Sequence, residues 1–112
     1  MKDDIPEFIF SSRGDFRTWL KKNAETSCGV WLVFGKTKAV VTLTANDALE
    51  EALCFGWIDG QMKSIDASKY RKYFARRRDK SPWSPKNRKT VEMLRRKKLM
   101  TSSGEKAVEA AL

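Results

Sequence analysis

Leu53-Cys54-Phe55-Gly56-Trp57-Ile58-Asp59-Gly60-Gln61 is the stretch on which the fold turns. Upstream of it, Ala48, Leu49, Ala52 and Leu53 recur at helical spacing, and Thr44 with Asp47 three residues on can open that helix. Gly56 is a natural stop, because the residue after a helix often takes a left-handed conformation that glycine adopts without strain. Downstream, Trp57 to Ile65 and Tyr70 to Arg76 are strand-like and flank the turn-forming Asp66-Ala67-Ser68-Lys69, so a hairpin is expected. Helix, glycine stop and hairpin in succession predict an α+β chain.

Working outward, Gly29-Val30-Trp31-Leu32-Val33-Phe34-Gly35 reads as a central strand covered on both faces. Before it, Ser12 and Asp15 resemble a capping box. Phe16, Trp19 and Leu20 then mark one face of a helix ending near Asn23. Residues 1–10 read as an extended lead-in barred from helix by Pro6. Ala39 to Leu43 is a weaker strand or an extended connection. Ser81 to Pro85 reads as a loop. Ser84 and Pro85 supply a cap and first position for a helix reaching Lys98, with Val91 and Leu94 inward. A last helix is expected from Ser102, capped by Glu105, with Ala107, Val108, Ala111 and Leu112 on its apolar side. The sum is a small, mostly antiparallel sheet with about four helices, in one domain over residues 1–112.

Hydrophobic residues make up 41% and charged residues 33%, which suits a globular chain rather than a disordered one. No apolar run approaches the roughly 20 residues of a membrane helix, and the N-terminus lacks a signal-peptide pattern, so the cytoplasm is the expected compartment. Cys28 and Cys54 are expected to be reduced, buried thiols. Without histidine, two cysteines cannot build the common zinc sites, and the usual general base near neutral pH is missing. No glycine-rich phosphate loop is present. The sequence thus points to a binding module with no cofactor or metal rather than to an enzyme.

Charge says what such a module would bind. Residues 63–98 hold 15 Lys and Arg against 3 Asp and Glu, while the chain as a whole carries +9. That block would attract a polyanion, with single-stranded nucleic acid or an acidic protein surface as the expected partner. Tyr70 and Tyr73 precede Arg76-Arg77-Arg78, and Lys86, Lys89, Arg96 and Lys97 share a stripe of the helix from Pro85 with Met93. Aromatics interleaved with cations suit stacked bases and phosphates. Of the four tryptophans, Trp19 and Trp31 sit in apolar patterns and are expected in the core. Trp57 and Trp83 have polar, Gly or Pro neighbours, and at least one of them is expected to face a ligand. Asp59 is expected either to pair with Arg76, Arg77 or Arg78 across the hairpin or to stand in a pocket. The candidate binding residues are therefore Trp57, Asp59, Arg77, Arg78, Trp83, Lys86 and Asn87. Two other readings stay open. One is a small-molecule or enzyme pocket around Trp57, Asp59 and Arg77; the other is self-association through apolar surface around Trp83.

The run Ala52-Leu53-Cys54-Phe55-Gly56-Trp57-Ile58-Asp59-Gly60, then Tyr70, Phe74, Arg77-Arg78, Ser81, Trp83-Ser84, Asn87, Met100-Thr101 and Gly104, resembles the YdeI/OmpD-associated family. The Trp19-Leu20 and Trp31-Leu32-Val33 segments fit its N-terminal part. Ala45, Arg76, Asp79 and Pro82 depart from its pattern. The resemblance implies a bacteriocin-protection or stress-associated role and no general catalytic activity.

Overall fold

A computed structural model describes residues 5–78 and 83–110. Its elements run β1 (Glu7–Phe8), α1 (Arg13–Asn23), β2 (Val30–Gly35), α2 (Ala45–Cys54), β3 (Trp57–Ser64), β4 (Lys69–Arg76), α3 (Pro85–Arg96) and α4 (Ser102–Ala110). The strands form one sheet in the order β1-β2-β4-β3. β4 lies antiparallel to both β2 and β3, whereas β1 runs parallel to β2, so the α+β sheet is mixed. The lead-in before α1 thus supplies a two-residue strand that its sequence does not announce.

The helix starts follow from their caps. Ser12 Oγ accepts from Asp15 N at 3.3 Å, Thr44 Oγ1 from Asp47 N at 3.0 Å, and Ser84 Oγ from Asn87 N at 3.1 Å. Each satisfies a backbone N–H that the first helical turn leaves unpaired. α4 differs from expectation: its cap is Thr101, whose hydroxyl accepts from Gly104 N at 3.2 Å. Glu105 instead takes a forked ion pair from Arg95 on α3, with Arg95 Nε to Glu105 Oε2 at 2.9 Å. α3 ends at Arg96, short of Lys98, because Lys98 turns left-handed at φ 61°. The stretch 39–43 is an extended connection. Ser81, Pro82, Ala111 and Leu112 lie outside the described residues.

Val30, Leu32 and Phe34 on β2, Phe74 on β4 and Trp57 on β3 point to the same side of the sheet. There they meet Phe16 and Leu20 of α1 and the buried stripe Ala48, Leu49, Ala52 and Leu53 of α2. Phe16 meets Phe74 edge-on at 5.6 Å, and Trp19 meets Trp57 at 5.7 Å and 84°. Val91 and Leu94 bring α3 onto α2 from behind, and α4 packs on α2 as well. The helices are therefore gathered on one side of the sheet.

Glu51 of α2 is only 3% exposed. Arg13 Nε donates to Glu51 Oε2 at 2.7 Å and Arg17 Nη1 to Oε1 at 3.0 Å, which ties α1 to α2. Arg17 Nη2 also reaches Leu99 O at 2.8 Å, joining the α3–α4 connection to the same network. Burial is the largest single influence and opposes the charge on both guanidiniums, but the hydrogen bonds and charges of Glu51, with Glu50 beside Arg13 and Cys54 beside Arg17, together outweigh it and hold both above their ordinary pKa. Beside them, burial pushes the Cys54 thiol up. Cys28, expected to be buried, is exposed at the end of the α1–β2 connection.

Candidate functional site

The seven sequence-predicted residues do not form one cluster. Trp57 has 0% exposure, and its Nε1 donates to Ala24 O at 3.1 Å. Its indole is a core ring with its polar atom satisfied, so Trp57 has no face for a ligand. Its Gly neighbours misled because the chain turns there from α2 into β3 at the centre of the domain.

Asp59 pairs with Lys72 at 3.0 Å rather than with the arginines at the end of β4. In register Asp59 lies opposite Phe74, so Lys72 is its diagonal neighbour across the ladder. Each partner keeps about a quarter of its side chain exposed, at 24% and 26%. Asp59→Asn should therefore leave the domain folded, with a loss below about 1 kcal/mol. Thermal melts check this, and a collapse of the fold would make Asp59 a structural charge.

Arg77 and Trp83 do meet: the guanidinium sits 4.0 Å over the indole. Trp83 is 9% exposed, and its Nε1 is the one buried side-chain polar atom without a hydrogen-bond partner among the described residues. That ring offers little apolar surface for self-association. Burial pulls the Arg77 guanidinium below its ordinary pKa. Arg78 and Lys86 are exposed, and Asn87 is half-buried in the first turn of α3.

Between the end of β4 and α4 runs a groove of about 300 Å³, lined by Phe55, Gly56, Arg76, Arg77, Ser103 and Lys106 among others. Neither Trp57 nor Asp59 lines it. Of the three residues named for a pocket in the sequence, this groove holds Arg77 alone.

Trp31 is the other correction. It alternates out of the core and lies half-buried on the opposite side of the sheet, paired across strands with Tyr73 at 5.3 Å and 52°. Arg71 Cζ sits 4.2 Å over its ring and Lys63 Nζ 5.7 Å over it. Glu7 accepts from Arg71 Nη1 at 2.7 Å and holds the guanidinium in place. Tyr73 reaches over Gly29, where any Cβ would collide with the phenol, and donates to Cys28 O at 3.2 Å. On its other flank a Cβ added to Gly60 would stand 3.5 Å from the ring.

A bulge completes this face. Asp59 pairs with Phe74 and Met62 with Lys72, so Gly60 and Gln61 together oppose Tyr73. The extra residue reverses the alternation of β3 from that point. Lys63, which strict alternation from Trp57 would send to the helix side, instead lies opposite Arg71 beside Trp31. Gly60 was the only sequence signal for this, since an isolated glycine in a strand often marks a bulge.

Geometry thus defines a single-sheet α+β domain with helices on one side and an aromatic–cationic patch on the other. Residues 8–107 match the family described as Domain of unknown function (DUF8412), and the chain belongs to that family. No curated protein and no solved structure matches it. Among the described residues no helix is long and apolar enough to cross a membrane, and no group of three or more His, Cys, Asp or Glu is placed to hold a metal.

Proposed function

We propose that the protein is a small basic module that binds single-stranded nucleic acid through the sheet face carrying Trp31, Tyr73, Arg71 and Lys63. One observation supports this above the others: two aromatic rings and two cations share the side of the sheet away from the helices. Bases stack on aromatic rings with about 1–3 kcal/mol each, independently of sequence. The Arg71 guanidinium, planar and already over Trp31, can extend the stack or take a phosphate. Lys63 adds a mobile point charge for the backbone. The basic block that led to this reading remains its electrostatic support, but Trp57 and Asp59 leave the contact set and Trp31 and Tyr73 enter it.

Fluorescence titration with an unstructured oligonucleotide tests the proposal. Binding should weaken steeply with salt, as counterion release requires. Trp31→Ala and Tyr73→Ala should each weaken it by roughly fivefold or more, the lower end of one lost stack. Affinity indifferent to both substitutions but still salt-sensitive would favour an acidic protein surface, which needs only the cations. No binding at low salt ends the proposal.

On the resemblance to YdeI/OmpD-associated proteins, we further propose that this binding serves a stress or bacteriocin-protection role in the cytoplasm. Cells lacking the protein should then survive envelope-active agents less well, and unchanged survival would sever that link.

A further inference from the structure

The geometry points to a base-reading hollow beside the Trp31 platform, one that takes guanine in preference to the other bases. This preference rests on strand binding by the same face. Next to the patch, the open side of the sheet dips into a hollow of about 280 Å³, with Glu7, Ile9, Val33, Ile65 and Lys69 among its lining. Val33 alternates with Trp31 along β2 onto the same side, and Lys69 with Arg71 along β4. Glu7 lies opposite Trp31 in register. The hollow therefore continues the aromatic–cationic patch.

Its floor is apolar and its rim carries charges of opposite sign. Ile9 and Ile65 are 57% and 44% exposed, so a flat ring laid over them removes apolar surface from water. Ile65 N donates to Lys69 O at 3.1 Å, which holds the two residues together where β3 and β4 meet their turn. Glu7 accepts from Arg71 Nη1 through Oε1. A carboxylate has about four acceptor sites, so that bond leaves it capacity for a ligand. Lys69 Nζ stands 3.9 Å from Asp66 Oδ2, with the two side chains 38% and 50% exposed. Such a contact is weak enough to exchange for a ligand atom.

Guanine carries both features that this rim can read. Its N1–H and N2–H donors stand side by side and match the two oxygens of a carboxylate. Its O6 and N7 acceptors come next along the ring edge, where an ammonium can donate. Adenine and cytosine offer Glu7 a single amino group. Thymine and uracil flank their one N–H with two carbonyl oxygens, which a carboxylate repels. A base that leaves a polar group of its site unpaired is rejected more strongly than one of merely wrong size. Stacking on Trp31, Tyr73 and Arg71 favours no base, so the preference comes from Glu7 and Lys69.

The test is fluorescence titration of the full chain with a dT oligomer of about eight nucleotides, within the usual footprint of small strand-binding domains. Three further oligomers differ from it by one central dG, dA or dC; a single dG avoids the self-association of G-rich strands. The dG oligomer should bind about tenfold tighter than the all-dT one, the scale of one bidentate base contact. The dA and dC oligomers should fall between. Glu7→Gln keeps the shape and drops the charge. It should bring the dG-to-dT ratio most of the way to unity, while affinity for dT holds or rises because a negative charge has left the face. Lys69→Met keeps the apolar stem and should lower the ratio as well. Equal affinity of the parent chain for the dG and dT oligomers overturns the guanine hollow and leaves strand binding standing. A ratio unchanged in either variant overturns it too, since the groups that read the base would lie elsewhere. No binding to any oligomer removes strand binding itself, and the hollow's role with it.

Discussion

Glu51→Ala should lower the stability of the domain by about 3 kcal/mol, the low end for breaking a buried pair by removing one partner. Among the described residues, Glu51 is the only carboxylate that bonds Arg13 and Arg17 at once. Removing it leaves Arg17, whose side chain is 22% exposed, without its ion pair while it still holds Leu99 O. Arg13 is better protected, because Asp47 and Glu50 remain at 3.2 Å and 2.9 Å. For a domain of this size the loss corresponds to roughly 10 °C or more in melting temperature. Glu51→Gln keeps the shape and part of the hydrogen bonding, so it should cost less. Equal melts for Glu51→Ala and the parent would mean that the network is an ordinary surface ion pair.

Gly56→Val should cost about as much, for two independent reasons. At φ +79° a residue with a Cβ is strained by about 1–2 kcal/mol. The same Cβ would stand 3.0 Å from both Ala107 Cβ and Ser103 O, so α4 must shift away from the α2–β3 turn. Overpacking of that kind adds about 1–3 kcal/mol. Gly56→Ala should show most of the loss, because strain and collision both begin at Cβ. A denaturant series on the two variants measures it. Midpoints unchanged from the parent would show that the turn relaxes freely and that α4 is not held against it.

Local chemistry carried the helices and the hairpin. Ser12, Thr44 and Ser84 cap where their side chains predict, and Gly56 stops α2 because only its backbone accepts that angle cheaply. The α+β class follows from these alone. Facing is what the sequence left unreadable. Trp31 and Trp57 each lie in a plausible strand, and their neighbours suggested the reverse of their true placements. Which side of a strand is covered depends on where distant helices pack, here α1 through Phe16 and Trp19. Lys63 was hidden for a second reason, since one extra residue at Gly60-Gln61 reverses the alternation after it. For Asp59 the sequence offers Arg76, Arg77 or Arg78 across the hairpin, or a pocket, whereas diagonal register gives it Lys72. The parallel strand β1 escaped notice because two residues are too few for a period.

That same bulge has a bearing on solubility in crowded surroundings. A sheet with four strands has two borders along which another chain could add, and such borders template aggregation. Here β1 offers only two residues, Glu7–Phe8, as one border. Along the other, the ladder of β3 is interrupted at Gly60-Gln61, so an approaching strand would meet a kinked rail followed by the charge of Lys63. Exposed Met62 and Ile65, at 62% and 44%, sit beside that interruption rather than along a flat run. The residue inserted ahead of Lys63 thus also leaves that border a poorer template for another strand.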